Sequence, residues 1–128
     1  MTMLPTSNAA GNKLVLLAED DQDQRELLAE VLEFEGYRVL QAENATRVVE
    51  QLSKAPDALL MDLHGISTPE VSAALQKIQP RPAVMVLSAD RQLQVAAKQL
   101  GADAFLAKPY DLDELLAKLQ VVLAPKSS

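Results

Sequence analysis

The stretch LVLLA at residues 14–18 runs directly into EDDQD at residues 19–23, and this junction indicates how the chain folds. Five consecutive apolar residues are typical of a parallel strand that is covered on both faces of its sheet. Four of the five residues that follow are acidic. In open α/β sheets, ligands bind outside the carboxyl ends of the strands. The junction therefore predicts a buried strand that opens onto a polar site.

Four further apolar runs are predicted to be strands, and amphipathic segments separate them. These runs are YRVL (37–40), ALLM (58–61), AVMVL (83–87) and AFLA (104–107). Apolar residues at helical spacing share four faces: Leu27, Leu28, Val31 and Leu32; Ala45, Val48, Val49 and Leu52; Val71, Ala74, Leu75 and Ile78; Leu112, Leu115, Leu116 and Leu119. Another helix, fourth in order, is expected near residues 91–100 and has the weakest pattern. Five strands alternating with five helices predict an α/β fold with a doubly wound parallel sheet in the order 2-1-3-4-5.

The composition bounds the domain organisation and the classes of partner. The 128 residues, 48% hydrophobic and 23% charged, fit one globular domain at 13–124, between a flexible N-terminal tail at 1–12 and a tail or linker start at 125–128. Without cysteine and with one histidine, the chain has no disulfide and no soft-metal site. A net charge of −6 argues against nucleic-acid binding by this segment. The absence of a long apolar run and of a signal peptide predicts a cytoplasmic protein without membrane contact.

Polar residues follow four of the five predicted strands: Glu19-Asp20-Asp21 the first, Asp62 the third, Ser88 the fourth and Lys108 the fifth. Because the carboxyl ends of parallel strands meet at one edge, Asp20 and Asp62 are expected to face each other where the strand order reverses. Two carboxylates about 4 Å apart repel by on the order of 4 kcal/mol at an effective dielectric of about 20. A hard divalent cation removes that repulsion, and ligation by carboxylates and waters suits Mg²⁺. The cluster is therefore predicted to bind Mg²⁺.

Asp62, Lys108 and Ser88 together predict phosphoryl chemistry. A carboxylate can act as a nucleophile and form an aspartyl phosphate. A metal ion and the Lys108 ammonium on either side of Asp62 can hold the oxygens of a phosphoryl group, and the Ser88 hydroxyl can donate to one of them. Asp21 and Asp23 are expected instead to stabilise the start of the first helix, where negative charge complements the helix dipole.

In this combination of motifs the chain resembles the response-regulator receiver domain of two-component signalling, a flavodoxin-like phosphorylation switch. The resemblance covers about residues 13–123 and rests on the acidic pair, Asp62, Ser88-Ala89 and Lys108-Pro109. It implies that Mg²⁺ is held by Glu19, Asp20, Asp62 and the backbone carbonyl of His64. It further implies that Asp62 accepts the phosphoryl group, that Lys108 binds it, and that the Lys108–Pro109 bond is cis.

Further positions acquire roles from the same resemblance. Ser88 would be the switch hydroxyl, and Phe105 lies where the family keeps an aromatic rotamer switch, although core packing explains Phe105 equally well. His64 and Asp90 lie two residues after Asp62 and Ser88, so we expect them to affect the lifetime of the phosphate more than its formation.

Two departures concern the shape of the loops. Ile66 and Glu70 replace the usual proline and glycine after the phosphoacceptor. The segment from Ser88 to Gly101 is about two residues shorter than the common pattern, so a dimer is not carried over from the family.

The resulting hypothesis is a signalling domain that catalyses only its own phosphorylation and dephosphorylation. A sensor histidine kinase or histidine phosphotransfer protein would supply the phosphoryl group, and a downstream protein target or fused effector domain would receive the signal. One alternative is a phosphorylation-independent adaptor with the same fold. Another is a Mg²⁺-dependent phosphohydrolase that uses the D-x-D of Asp21 and Asp23. A flavin or nucleotide carrier is disfavoured because no glycine-rich phosphate loop follows the first strand.

Overall fold

A computed structural model describes residues 11–89 and 94–124, and strands alternate with helices throughout these ranges. The strands are β1 (Leu14–Ala18), β2 (Arg38–Ala42), β3 (Ala58–Asp62), β4 (Ala83–Ser88) and β5 (Ala104–Ala107). The helices are α1 (Gln22–Phe34), α2 (Ala45–Leu52), α3 (Thr68–Lys77), α4 (Gln94–Leu100) and α5 (Leu112–Leu123). None of the helices in the described ranges combines the length and apolar character needed to cross a membrane.

The five strands form one parallel sheet in the order β2-β1-β3-β4-β5, which confirms the predicted fold class and topology. The strand order reverses between β1 and β3, so the carboxyl ends of these two strands lie side by side. Register brings Ala18 opposite Met61, which places the residues after β1 next to the end of β3.

Strand β2 lies one to two residues later than the sequence predicted. Tyr37 belongs to the turn that ends α1, because its amide donates to Leu32 O at 3.1 Å. Gln41 and Ala42 extend the strand and pair with Leu17 and Ala18. The apolar pattern did not predict this extension, because Gln41 is polar and exposed, as is usual on an edge strand.

Both faces of the sheet are covered, which explains the continuous apolar runs of the central strands. Leu16 and Leu59 face the cluster formed with α2, α3 and α4, whereas Val15 and Leu60 face the cluster formed with α1 and α5. All four side chains are fully buried. Successive residues of a strand point to opposite faces, so a strand between two helical layers must be apolar at every position.

Three residues that were predicted to lie on the buried faces of helices are exposed. Leu27 is 63% exposed, and Ala29 takes the buried place beside Leu28 and Leu32. A helix turns by about 100° per residue, so Leu27 and Ala29 lie on opposite sides of Leu28 and only one of them can face the sheet. Exposed positions also include Val49 and Leu112. The predicted beginning of the fourth helix (91–93), most of the predicted N-terminal tail (1–10) and all of the predicted C-terminal tail (125–128) lie outside the described residues.

Candidate functional site

The loop after β1 is fixed to the end of β2 and to the start of α1. The amide of Glu19 donates to Ala42 O at 3.0 Å, and the Glu19 Oε2 accepts a hydrogen bond from the amide of Asp21 at 3.0 Å. Asp21 is the N-cap of α1, because its Oδ1 accepts from the amide of Gln24 at 2.9 Å. Asp23 lies in the first turn. The N-cap contact confirms that Asp21 stabilises the start of the helix, and Asp23 lies where negative charge complements the helix dipole.

Asp62 ends β3 at the bottom of the site and is only 2% exposed. Its Oδ1 accepts from the amide of His64 at 2.9 Å, and its Oδ2 accepts from the Lys108 ammonium. The amide of Lys108 donates to Ser88 O at 2.8 Å, which fastens the loop after β5 to the end of β4. The Lys108–Pro109 bond is cis, as the resemblance implied. The ends of β3, β4 and β5 therefore meet around one buried carboxylate.

Asp20 faces the loop after β3 across the reversal of strand order. Its carboxylate packs against Gly65, and a Cβ at position 65 would overlap Asp20 Oδ2. His64 Nδ1 lies 4.0 Å from Asp20 Oδ1, although the imidazole itself is 87% exposed. Gly65 has φ +79°, a conformation that side-chain-bearing residues rarely adopt. Ile66 and Glu70 are the two residues of this loop region that depart from the usual family pattern. The Ile66 side chain is buried in the core, and Glu70 is exposed in the first turn of α3.

The pKa values of Glu19 and Lys108 reflect the crowding of carboxylates at the site. Burial raises the pKa of Glu19 from 4.5 to about 7, and the hydrogen bond from the Asp21 amide opposes this rise only partly. Hydrogen bonding and charge repulsion from Asp62, together with a hydrogen bond to Asp20, raise the pKa further. Burial would lower the pKa of Lys108, but the hydrogen bond and charge of Asp62 outweigh it and raise that pKa. The Lys108 ammonium therefore lies in a crowded group of carboxylates, in which the raised pKa of Glu19 favours a proton or a cation.

These donors fit Mg²⁺. Within the described ranges no three Asp, Glu or His side chains form a group arranged to hold a metal ion. Mg²⁺ does not require a preformed group of this kind, because it usually keeps several waters in its coordination shell. Asp20 and Asp62 flank the His64–Gly65 backbone, and both carboxylates act on the Glu19 carboxyl by raising its pKa. A hard cation with oxygen ligands is the ion this donor set prefers.

Two further predicted residues, Ser88 and Phe105, lie at and beside the site. Ser88 is 2% exposed at the end of β4, one residue beyond the partner of Asp62 in the sheet. Phe105 is partly buried against the core and lines, with Ser88, a cavity of about 480 Å³ between α4, β5 and α5. This position is compatible with core packing and with a rotamer switch. Asp90 lies outside the described residues.

Two residues near the site were missed by the sequence analysis. Tyr110, two residues after Lys108, is half-buried; burial raises the pKa of its hydroxyl, the charge of Lys108 opposes this rise, and those of Asp62 and Glu19 add to it. Arg25 of α1 donates from Nη1 to Glu19 O at 3.0 Å. Side chains on a helix lean toward its N-terminus, so an arginine one turn after an acidic loop is a signal that could have predicted the hydrogen bond from Arg25 to Glu19 O.

Fold and site together define a class: a doubly wound α/β domain with an acidic pocket and a paired lysine at the carboxyl edge of its sheet. A family model for the response regulator receiver domain matches residues 15–120. The chain belongs to this family, as the resemblance predicted, and is a receiver domain of two-component signalling. As a receiver domain it is a phosphoacceptor signalling module.

Individual relatives agree with the family assignment. The chain is 31% identical over 122 residues to sporulation initiation phosphotransferase F of Bacillus subtilis, covering 91% of this chain and 98% of the relative. It is 33% identical over 115 residues to transcriptional regulatory protein CpxR of Escherichia coli, covering 85% of this chain. It spans about half of the length of CpxR, at 48%.

A solved structure extends the comparison to a domain with bound metal. The response regulator protein TrrA from Thermotoga maritima, in complex with Mg(2+)-BeF, has a TM-score of 0.74 and 26% identity. The similarity covers 86% of this chain and 98% of that one. TrrA, which is covered almost completely by the similarity, therefore has the same fold as this chain.

Proposed function

We propose that Asp62 accepts a phosphoryl group from a sensor histidine kinase or a histidine phosphotransfer protein. The observation that carries this proposal is the buried Asp62 carboxylate, which the Lys108 ammonium contacts at the acidic edge of the sheet. In the transfer a carboxylate oxygen of Asp62 forms a bond to phosphorus, while the phosphorus–nitrogen bond of the donor phosphohistidine breaks and its imidazole leaves with the electron pair. Hydrolysis by water later releases inorganic phosphate and restores the carboxylate.

The neighbouring residues have separate tasks in this reaction. Glu19, Asp20, Asp62 and the backbone carbonyl of His64 hold Mg²⁺, which when bound neutralises charge on the phosphoryl oxygens. Lys108 stays beside Asp62 and binds a phosphoryl oxygen after transfer. Ser88, at the end of the adjacent strand, donates its hydroxyl to another.

The signal follows from the same contacts. Recruiting the Ser88 hydroxyl changes the packing beside Phe105 and biases a two-state equilibrium on the α4–β5–α5 face. A downstream protein or a fused effector domain reads that face. Receiver domains meet their kinases in the cytoplasm, and we place this domain there.

Labelling with a small acyl phosphate in the presence of Mg²⁺ tests the proposal. We expect the intact mass of the protein to rise by one phosphoryl group. The label should be stable in acid and labile in base, because an acyl phosphate is hydrolysed at high pH. The Asp62→Asn variant is expected to take up none, and chelation of Mg²⁺ is expected to suppress the label in the unaltered protein. Undiminished labelling of Asp62→Asn would remove Asp62 from this role, and a folded protein that takes no label would favour the phosphorylation-independent adaptor.

Gly65→Ala is expected to weaken Mg²⁺ binding and to lower stability. A Cβ at this position displaces the Asp20 carboxylate, and the positive φ adds a backbone cost of about 1 kcal/mol. Gly101→Ala is the matched control, since Gly101 has φ +70° but its Cβ would meet the flexible end of Arg81, with Nη2 at 2.7 Å. Calorimetric Mg²⁺ titration should show a loss of affinity for Gly65→Ala alone, whereas thermal unfolding should show destabilisation of both. Equal Mg²⁺ affinities in the two variants would contradict this role of Gly65.

His64 and Asp90 are proposed to set how long the phosphate lasts. The His64 imidazole is 87% exposed at the mouth of the site, where it can screen the phosphoryl group from water without entering the metal site. We expect the double substitution His64→Ala and Asp90→Ala to change the decay rate several-fold while the rate of label uptake stays within about a factor of two. Decay followed after removal of the acyl phosphate measures this, and an unchanged decay rate would refute it.

A further inference from the structure

We propose that Arg25 is a positioning residue for the acidic pair: its guanidinium fixes the Glu19 carbonyl and thereby aims Asp20 and Glu19 at Mg²⁺. This inference rests on the proposed function for the purpose of the site, and it concerns a residue of α1 that holds no metal or phosphate itself. The carrying observation is a pair of hydrogen bonds that joins the ends of two strands through one side chain.

Arg25 bridges the carboxyl ends of β1 and β2. Its Nη1 donates to Glu19 O at 3.0 Å, and its Nε donates to Gln41 Oε1 at 3.2 Å. The residue lies in the first turn of α1, where its own amide donates to Asp21 O at 2.9 Å. Side chains on a helix lean toward its N-terminus, so this position carries the guanidinium back over the loop that precedes the helix.

The Glu19 carbonyl controls the direction of both carboxylates. A peptide unit is planar, so a fixed Glu19 C=O also fixes the amide nitrogen and Cα of Asp20. The other side of Glu19 is already held, because its amide donates to Ala42 O at 3.0 Å. Without the guanidinium, the Glu19–Asp20 peptide could rotate about its flanking single bonds. The Asp20 carboxylate would then leave its place against Gly65.

The contact requires an arginine. The two acceptors belong to different strands, and the planar guanidinium presents several donors in a rigid fork that reaches both at once. A lysine at this position could reach one acceptor at most in the same geometry. Gln41 is itself anchored, because its backbone carbonyl accepts from Gln51 Nε2 of α2 at 3.3 Å. The bridge therefore connects the site to two helices.

The positive charge of Arg25 and its positioning role predict opposite effects on Mg²⁺ binding when Arg25 is removed. This difference makes the inference testable. Removing a positive charge near an acidic site strengthens the attraction for a dication. Loss of a residue that orients metal ligands weakens metal binding, typically by ten- to a hundredfold. Weaker Mg²⁺ binding by an Arg25 variant would therefore report lost positioning rather than lost charge.

The experiment is a Mg²⁺ titration of the phosphate-free protein, followed by backbone amide shifts and by calorimetry. We expect Arg25→Met to raise the Kd for Mg²⁺ about tenfold. Arg25→Lys, whose ammonium can still reach one of the two acceptors, should raise it by a smaller factor. Gln41→Met should act in the same direction, and the double variant should be no worse than Arg25→Met, because Gln41 acts through Arg25. Arg47→Met is the matched control: within the described ranges the Arg47 side chain forms exposed ion pairs with Glu43 and Glu50, and its substitution should leave the Kd unchanged.

The outcomes separate this inference from the proposed function. An unchanged or tighter Kd in Arg25→Met overturns it, even if Asp62 takes up label. A raised Kd in Arg25→Met with a normal Kd in Arg47→Met supports it, even if no label is found. Should Arg25→Met not fold, Arg25→Lys decides, and a Kd equal to that of the unaltered protein would overturn the inference. Labelling at saturating Mg²⁺ should recover to within about twofold in Arg25→Lys, since a positioning defect in the metal site is overcome by excess metal.

Discussion

Replacing Lys108 with methionine is expected to lower the free energy of unfolding by about 3 kcal/mol at pH 8 without Mg²⁺, because removing one partner of a buried ion pair leaves an uncompensated charge. Asp62 is 2% exposed, and the Lys108 ammonium is its cationic partner in the described part of the chain. Methionine preserves the length and apolar stem of the side chain, so the change reports the charge. The value lies at the low end of the range for buried pairs because the Lys108 side chain is 26% exposed.

Urea unfolding in a chelating buffer measures this effect. Lys54→Met is the matched control, since Lys54 is exposed and its ammonium has no ion pair with a described residue; we expect a change within about 0.5 kcal/mol. Adding Asp62→Asn to Lys108→Met should recover most of the loss, because both charges are then absent. A Lys108→Met protein as stable as the control at pH 8 would contradict a stabilising role of the ion pair between Lys108 and Asp62.

The sequence was sufficient for the sheet and for the edge where the site lies. Continuous apolar runs identify strands covered on both faces, and the residue after each run must then lie at the carboxyl edge. This logic placed Asp62, Ser88 and Lys108 together without any knowledge of distances, and it holds because parallel strands share a direction. It was weaker for β2, since an edge strand such as Arg38–Ala42 mixes exposed and buried residues.

Contacts made by main-chain atoms could not be predicted in this way. The role of Arg25 depends on the Glu19 carbonyl, and that of Gly65 on the space beside Asp20. The space beside Gly65 has no periodicity or residue pair that a pattern reveals, and the place of Arg25 one turn after the acidic loop does not show which atom it contacts. The exposure of Leu27 has a similar origin, because Leu27 and Ala29 lie on opposite sides of Leu28 and the packing of α1 selects Ala29.

Glu19→Gln is expected to stabilise the Mg²⁺-free protein at pH 8 by about 3 kcal/mol. The folded state holds the Glu19 carboxyl at a pKa of about 7 against 4.5, chiefly through burial and then through Asp62 and Asp20. A difference of this size corresponds to roughly 3 kcal/mol at the conversion of about 1.4 kcal/mol per pKa unit, and it acts against folding once Glu19 is ionised. Glutamine keeps the shape and can still accept from the Asp21 amide, but it carries no charge.

The pH dependence distinguishes this effect from a general gain in packing. Between about pH 4.5 and pH 7 the folded protein retains a proton that the unfolded chain has lost, so stability of the unaltered protein falls as pH rises through this window. Below pH 4.5 the carboxyl is protonated in both states, and Glu19→Gln should match the unaltered protein. The advantage of the variant should appear through the window and be constant above about pH 8. Glu30→Gln, an exposed substitution on α1, should show no such pH dependence.

Mg²⁺ should narrow the difference in stability between the two proteins. A ligand that binds only the folded state adds stability in proportion to the logarithm of its concentration over its Kd. The unaltered protein, with all its carboxylates, should gain more from millimolar Mg²⁺ at pH 8 than Glu19→Gln does. Thermal unfolding at pH 8, with and without Mg²⁺, measures both halves of this prediction. A Glu19→Gln protein that is less stable than the unaltered protein without Mg²⁺ would show that the ionised carboxylate is better solvated than its 5% exposure indicates.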